Sequence, residues 1–476
     1  MSNYGPGRRQ ATQFAVEVGA QRETPVAAHV GSRGDFLDRL QSAARAAHSD
    51  ATKREAFLAG VFEWAVDTRN LYFAWQWLKA GDGHSPGSDE LTYSDIPEPL
   101  TWEFLRHRRL EIVNDEYQPA QLREVKIPKG AGRGTRTLEL PSVIDRMVGR
   151  AILQAVQPFL DPAFSGNSFG SRPRRDRRHA LARAETLANA GGRWCWIAQD
   201  IKNAFPSVPR GWLRDVLSLK LRNEELITLI MKLLDNGKRR GIVTGQPLCP
   251  LVFNTGLDHI LDRPWRRQHP DIPLLRAIDD LLGLCRDRGE AENAHADLDR
   301  MLRPHGMLLK HPIGKSIVDL SAGGVVQWLG FQIRKKQEEI QVNLTEDSWE
   351  QLEEHLHLSH EKPNSPLRAQ WIVEGWLDQT GPALQGEKPS RLISRILSLA
   401  RTYAIEEMPS RAELLQCLDR AQVRWQQIRE AAYRELEQEQ CSGSATCHRV
   451  FPSCHGGGEP ALGSPLPALS RVSALC

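Results

Sequence analysis

Apolar residues recur at helical spacing over 35–79: Phe36, Leu37, Leu40 and Ala44, then Phe57, Val61, Phe62 and Trp64, then Leu71, Ala74, Trp75 and Leu78. That period predicts helix with one buried face. A further helix is expected over 99–114. REVKIPKGAGRGTRTLEL (123–140) reads as strand, Gly-rich turn, strand. SVIDRMVGRAILQAVQPFL is an amphipathic helix starting near Ser142, and RWCWIAQD is a short apolar strand ending in Asp200. Residues 212–234 read as helical. In LLRAIDDLLGLC (274–285), Asp279 and Asp280 split two apolar runs, a strand–turn–strand pattern. A helix over 290–302 and short strands over 325–342 follow. From 346 to about 440 the pattern is helical again, and Ser410 with Glu413 three residues on is a capping-box start. The Gly, Pro and Ser content of 81–92 marks a loop. Residues 1–34 show no period and are expected to form a flexible arm. Residues 441–476, rich in Gly, Ser, Pro and Cys, are expected to be disordered.

Composition adds little to this picture. The chain has 476 residues, 40% hydrophobic and 25% charged, with net charge +3. These are ordinary values for a globular protein, and the length suits two to four domains. The balance is local: residues 122–185 hold thirteen Lys/Arg against six Asp/Glu. Such a stretch suits a phosphate-binding channel, or a plain solvated surface. Cys195, Cys249, Cys285 and Cys417 sit singly in apolar contexts and read as reduced core thiols. No apolar run is long enough to span a membrane, and MSNYGPGRRQATQF has no signal core, so a cytoplasmic protein is expected. Cys441, Cys447, His448, Cys454 and His455 are zinc-type ligands, but they lack a Cys-x-x-Cys spacing.

The chemistry lies in the acids. Asp200 ends one strand, and Asp279 and Asp280 interrupt another hairpin. Three carboxylates at strand ends that converged would repel, and some would stay protonated. Divalent cations relieve that repulsion, and a pair of them can hold the attacking and leaving oxygens of a phosphoryl displacement. A turn whose acids simply face solvent is the plain alternative.

The blocks around these acids resemble those of reverse transcriptases, most of all the group II intron and group II-like bacterial lineage. QDIKNAFPSV resembles the first palm motif, TGQPLCPLVFN the next, AIDD the Tyr-x-Asp-Asp block, GMLLKHPIGKS the following motif and WLGFQI the primer grip. Upstream, IPKGAGRGTRTLELPSVIDRMVGRAI resembles the fingers pattern, FSGNSFGSRPRRDRRHAL a second fingers block, and GSDELT a block typical of the group II lineage. The resemblance implies an α/β (α+β) right-hand polymerase: fingers and palm with antiparallel sheet plus helices, and an all-α thumb. The implied division is 1–34 arm, 35–120 helical extension of the fingers, 121–344 fingers and palm, 345–440 thumb or maturase-like domain, and 441–476 tail.

The implied activity is RNA-directed DNA synthesis, extending a primer 3′-OH with dNTPs. Two Mg²⁺ ions, with Mn²⁺ as a substitute, are expected on Asp200, Asp279, Asp280 and the Ile201 carbonyl. Lys129, Arg136, Phe205, Thr244, Gly245 and Lys315 are expected at the nucleotide. Phe205 falls at the position where an aromatic ring clashes with a ribose 2′-OH. Gly245 is expected to let backbone approach the incoming base pair. Arg172, Arg174, Arg175, Trp328 and Gly330 are expected along primer and template. The expected partners are an RNA template, a DNA or RNA primer and dNTPs, with an intron or other structured RNA as a further candidate, and no membrane. The sequence leaves the oligomeric state open.

The chain departs from the family pattern at Ala277, where tyrosine is usual, at Thr244, where glutamine is usual, and at Ile278, bulkier than the usual alanine. Two other readings stay open: an RNA-binding maturase-like protein with a weakened polymerase site, and a template-independent or self-primed DNA polymerase in phage defence or DNA repair.

Overall fold

A computed structural model describes residues 33–81, 85–128, 134–360, 365–385, 388–403, 405 and 408–443. The first helical stretch divides into α1 (Arg33–Ser49), α2 (Ala51–Val66) and α3 (Thr68–Ala80). Asp50 and Asp67 make the breaks: their carboxylates accept from the Lys53 and Arg69 N–H groups that open the next helix. Helix α4 (Glu98–Val113) precedes β1 (Arg123–Pro128) and β2 (Thr135–Leu140), an antiparallel pair with Arg123 opposite Leu140. Helix α5 (Val143–Leu160) starts where expected, with Ser142 capping Asp145 N–H.

Next come α6 (Arg177–Gly191), β3 (Cys195–Asp200), α7 (Arg210–Leu221), α8 (Glu224–Leu234), α9 (Cys249–Leu257), β4 (Leu274–Ala277), β5 (Asp280–Cys285) and α10 (Arg288–Leu302). The helical reading of 212–234 is thus interrupted. Arg222 turns left-handed at φ +47° and Asn223 caps α8 through Leu226 N–H. Strands β6 (Ile317–Asp319), β7 (Val326–Trp328), β8 (Phe331–Lys336) and β9 (Glu339–Leu344) follow. The chain continues with α11 (Glu346–His360), α12 (Ser365–Gln379), α13 (Pro389–Thr402) and α14 (Arg411–Gly443). The capping box at Ser410 is present, with Glu413 Oε2 accepting from Ser410 N–H at 2.7 Å.

The chain forms two compact units. One comprises 1–173, 199–281 and 292–315; the other comprises 174–198, 282–291 and 316–476. In the first, α1, α2 and α3 pack on α5, whose inner face is buried from Val143 to Leu160. Asn70, fully buried, ties α3 to α5 by donating to Ala151 O at 2.8 Å. Asp145, also buried, accepts from Tyr117 Oη–H and from Ala120 N–H at 3.0 Å. Burial pushes its pKa up to about 6.

In the second unit, β7, β8 and β9 form an antiparallel sheet. Helix α6 packs along α14. Glu185 on α6 has no solvent exposure; it accepts two bonds from Arg429 at 2.8 and 2.9 Å and one from Ile340 N–H at 3.0 Å. The remaining sheet has the order β4–β5–β3–β6. Mixed helix and antiparallel sheet is the class that the sequence led us to expect. Among the described residues no helix is long and apolar enough to cross a membrane.

Candidate active site

Strand β3 is apolar through Ala198 and ends in Gln199 and Asp200, the latter half-buried. The backbone then does two things. Ile201 N–H donates to Asp279 O at 3.1 Å, which fixes the β4–β5 turn beside Asp200. On the other side, residues 308–310 form a ladder. Lys202 N–H donates to Leu308 O, and Lys310 N–H to Asp200 O, both at 2.8 Å. Gln199, 3% exposed, extends that ladder with its side chain: it accepts from His311 N–H at 3.1 Å and donates to His311 O at 2.6 Å. The turn carrying Asp279 and Asp280 therefore lies beside Asp200.

Their electrostatics follow. Burial, then the charge on Asp200, lifts Asp279 to about 6. Burial, then the charges of Asp279 and Asp200, lifts Asp280 to about 7. Two cations oppose this: Lys310, whose Nζ is paired with Asp200 Oδ2, lowers both, and Arg276 lowers Asp279. Lys315, the lysine singled out from sequence, lies exposed on the short turn Ile313–Ser316. The lysine that reaches the carboxylates is Lys310, five residues earlier. Residue type alone marks it, and only the Leu308–His311 ladder gives it a role.

The donor set suits a hard divalent cation, because half-buried carboxylates that raise one another's pKa gain most from one. As the side chains stand, no group of three or more His, Cys, Asp or Glu among the described residues is arranged to hold a metal ion. Asp200 keeps one oxygen on Lys310 instead.

The turn itself is unusual. Ile278 has φ +60°, a region that a β-branched residue enters only under constraint. Gly170 lies against it; a Cβ there would sit 2.5 Å from the Ile278 nitrogen. Residues 167–169 pair alongside β4, with Arg276 N–H on Asn167 O at 2.9 Å and Phe169 N–H on Arg276 O at 2.8 Å. The FSGNSFG block thus forms an extra edge that backs the acidic turn.

The remaining site residues are placed as follows. Phe205 is half-buried against Phe253, with ring centroids 5.0 Å apart. The Thr244 hydroxyl is buried and finds no partner among the described residues. What comes close to Gly245 is β2: its N–H donates to Glu139 O, and a Cβ would lie 2.4 Å from that oxygen. Arg172 uses all its donors internally, on Asp161 and on the Ser165 and Ser168 carbonyls. That leaves it no N–H for a phosphate and makes it a brace for the turn after α5.

In the second unit, Arg174 is exposed at φ +58° and Arg175 is half-exposed. Trp328 is buried, and Gly330 (φ +78°) closes the β7–β8 hairpin, its carbonyl accepting from Ser348 Oγ at 2.7 Å. Arg136 has a β2 backbone position opposite Ile127. Lys129 and the Cys/His set beyond Cys441 lie outside the described residues.

Residues 127–332 match the family model for reverse transcriptase (RNA-dependent DNA polymerase). The chain is 30% identical over 209 residues to protein YkfC of Escherichia coli, covering 41% of this chain and 53% of that one. It is 26% identical over 203 residues to the group II intron-encoded protein LtrA of Lactococcus lactis, covering 40% of this chain and 33% of LtrA. The chain thus spans about half or less of the length of these relatives. Among solved structures, apo telomerase from Candida tropicalis aligns over 90% of this chain and 96% of its own, at 12% identity and TM-score 0.38.

Proposed function

We propose, from the match of residues 127–332 to the reverse transcriptase family model and the similarity to a group II intron-encoded protein, that the chain extends a primer 3′-OH with dNTPs on an RNA template. The observation that carries this reading is the turn of Asp279 and Asp280 lying beside Asp200, across the 3.1 Å bond from Ile201 N–H to Asp279 O. Asp200, Asp279 and Asp280 would hold divalent magnesium, which supplies Lewis acidity for the primer hydroxyl and countercharge for the released pyrophosphate. The protein's own residues do the rest. Burial of the acidic turn keeps its carboxylates poorly solvated, so charge brought to them interacts strongly. Lys310 holds the Asp200 carboxylate in place and offsets its charge while no nucleotide is bound. Phe205, packed on Phe253, would clash with a 2′-OH and so select deoxynucleotides.

The division into a helical extension (35–120), fingers and palm (121–344) and thumb (345–440) belongs to the same proposal. So do nucleotide contacts by Lys129, Arg136, Thr244, Gly245 and Lys315, and primer–template contacts by Arg174, Arg175, Trp328 and Gly330. Shape and 2′-OH contacts would hold the RNA strand.

Purified chain with an RNA template, a DNA primer, dNTPs and Mg²⁺ is expected to extend the primer, and Asp279→Ala or Asp280→Ala to abolish extension. Extension unchanged in those variants would end the proposal. The Lys310–Asp200 pair favours a second reading, an RNA-binding maturase-like protein with a weakened polymerase site. RNA binding without nucleotide incorporation would select it. Product formed without added template would select the self-primed polymerase instead.

A further inference from the structure

We infer that Arg276 is the positioning residue of the acidic turn: it holds Ile278 in its strained conformation and so sets where the Asp279 and Asp280 carboxylates point. This rests on the polymerase reading above.

The side chain of Arg276 is 1% exposed. Burying a guanidinium is costly unless every donor is met, and every one is. Nε donates to Asp262 Oδ1 at 3.0 Å. Nη2 donates to Asp262 Oδ2 at 2.7 Å and to Ser168 Oγ at 3.1 Å. Nη1 donates to Asn254 Oδ1 at 2.6 Å and to Ile278 O at 3.0 Å.

The last bond is the informative one. It grips the carbonyl of the residue at φ +60°, immediately before Asp279. A β-branched residue there is disfavoured by about 1–3 kcal/mol and persists only when its surroundings over-determine it. Arg276 and the bare face of Gly170 do so from two sides.

The partners of Arg276 come from elements far apart in sequence. Asp262 ends a single wide turn, Asp258–Asp262, that follows α9. Asn254 lies on α9, and its amide also donates to Gly170 O at 2.9 Å. Ser168 belongs to the edge that backs β4. The guanidinium therefore ties three separate blocks to one peptide of the turn. A purely structural ion pair would not need the bond to Ile278.

The test follows Mn²⁺ binding to the full chain, through the electron-spin resonance signal of free Mn²⁺, alongside primer-extension kinetics and unfolding temperature. Arg276→Lys supplies charge without the planar fork. It is expected to weaken Mn²⁺ binding and lower kcat by about 10- to 100-fold, the loss usual when an outer partner of a ligand is removed, with little change in the KM for dNTP. Asn254→Ala keeps the Asp262 pair and covers the case in which the lysine variant does not fold. It is expected to move both quantities the same way by at least about threefold.

If the parent chain binds Mn²⁺ and extends primers, and the folded variants match it in both, this inference alone falls. A lowered unfolding temperature with Mn²⁺ affinity unchanged also overturns it, since that describes a structural pair. A parent chain that neither binds Mn²⁺ nor extends a primer overturns the polymerase reading, and the inference with it.

Discussion

Replacing Asp280 with Asn removes a charge from the acidic turn and leaves its shape. Without a divalent cation, the parent protein is destabilised by that charge. Burial and the neighbouring acids lift the Asp280 pKa from the usual 3.8 to about 7. Between those values the folded chain keeps a proton that the unfolded chain has released. Stability therefore falls as pH rises from about 4, and the loss is complete above about 7. At about 1.4 kcal/mol per tenfold change in proton affinity, the span bounds the effect near 4 kcal/mol. Solvent screening of a partly exposed carboxylate reduces this to an expected 1–3 kcal/mol or so.

In EDTA at pH 8, Asp280→Asn should accordingly unfold a few degrees above the parent by scanning calorimetry. At pH 4 the two should coincide. Millimolar Mg²⁺ at pH 8 should stabilise the parent and do little for the variant. A variant less stable than the parent at pH 8, or a difference independent of pH, would refute the electrostatic account of the turn.

Four further outcomes are expected. Lys310→Ala removes the cation that lowers Asp279 and Asp280. The acid limb of the pH–rate profile should move upward, and a profile that stays put would deny Lys310 its role. Glu185→Ala removes the buried partner of Arg429 in the second unit, leaving it only the exposed Glu339, and should cost about 1–3 kcal/mol in urea unfolding; a loss under about 0.5 kcal/mol would mean the pair is not effectively buried. Gly245→Ala drives a methyl group onto Glu139 O and should cost about 1–3 kcal/mol, readable by the same titration. Phe205→Val should raise incorporation of ribonucleotides relative to deoxynucleotides at least about tenfold, and an unchanged ratio would remove Phe205 from sugar selection.

Much of this site was legible before any coordinates. The carboxylates are conspicuous because acids between apolar runs have few inexpensive explanations, and the turn carrying two of them lies beside the third. Helix starts at Ser142 and Ser410 were legible because capping is local chemistry. Other features were hidden for physical reasons. Helix α6 buries four alanines, Ala180, Ala182, Ala184 and Ala188, beside polar residues and a single leucine, too little large apolar surface to produce a strong period. Helix α9 is short and buried on every side, so it has no polar face to alternate with. Lys310 and Arg276 gain their roles from backbone ladders and partners up to 110 residues away, a relation that no window along the chain reveals. Arg172 misled in the opposite sense: a basic residue in a basic block suggests a phosphate, yet Asp161 and two carbonyls consume it.

The division of the chain has a consequence for how the protein is made. The first unit is assembled from three stretches and closes only with 292–315. Asp200 leaves the ribosome well before the turn at 279 and the lysine at 310 that flank it. At 5–20 residues per second, the wait is on the order of ten seconds. Throughout that interval the nascent strand β3 has neither neighbour. Synthesis rate and chaperone supply, rather than the strength of the finished fold, should therefore govern the yield of active protein.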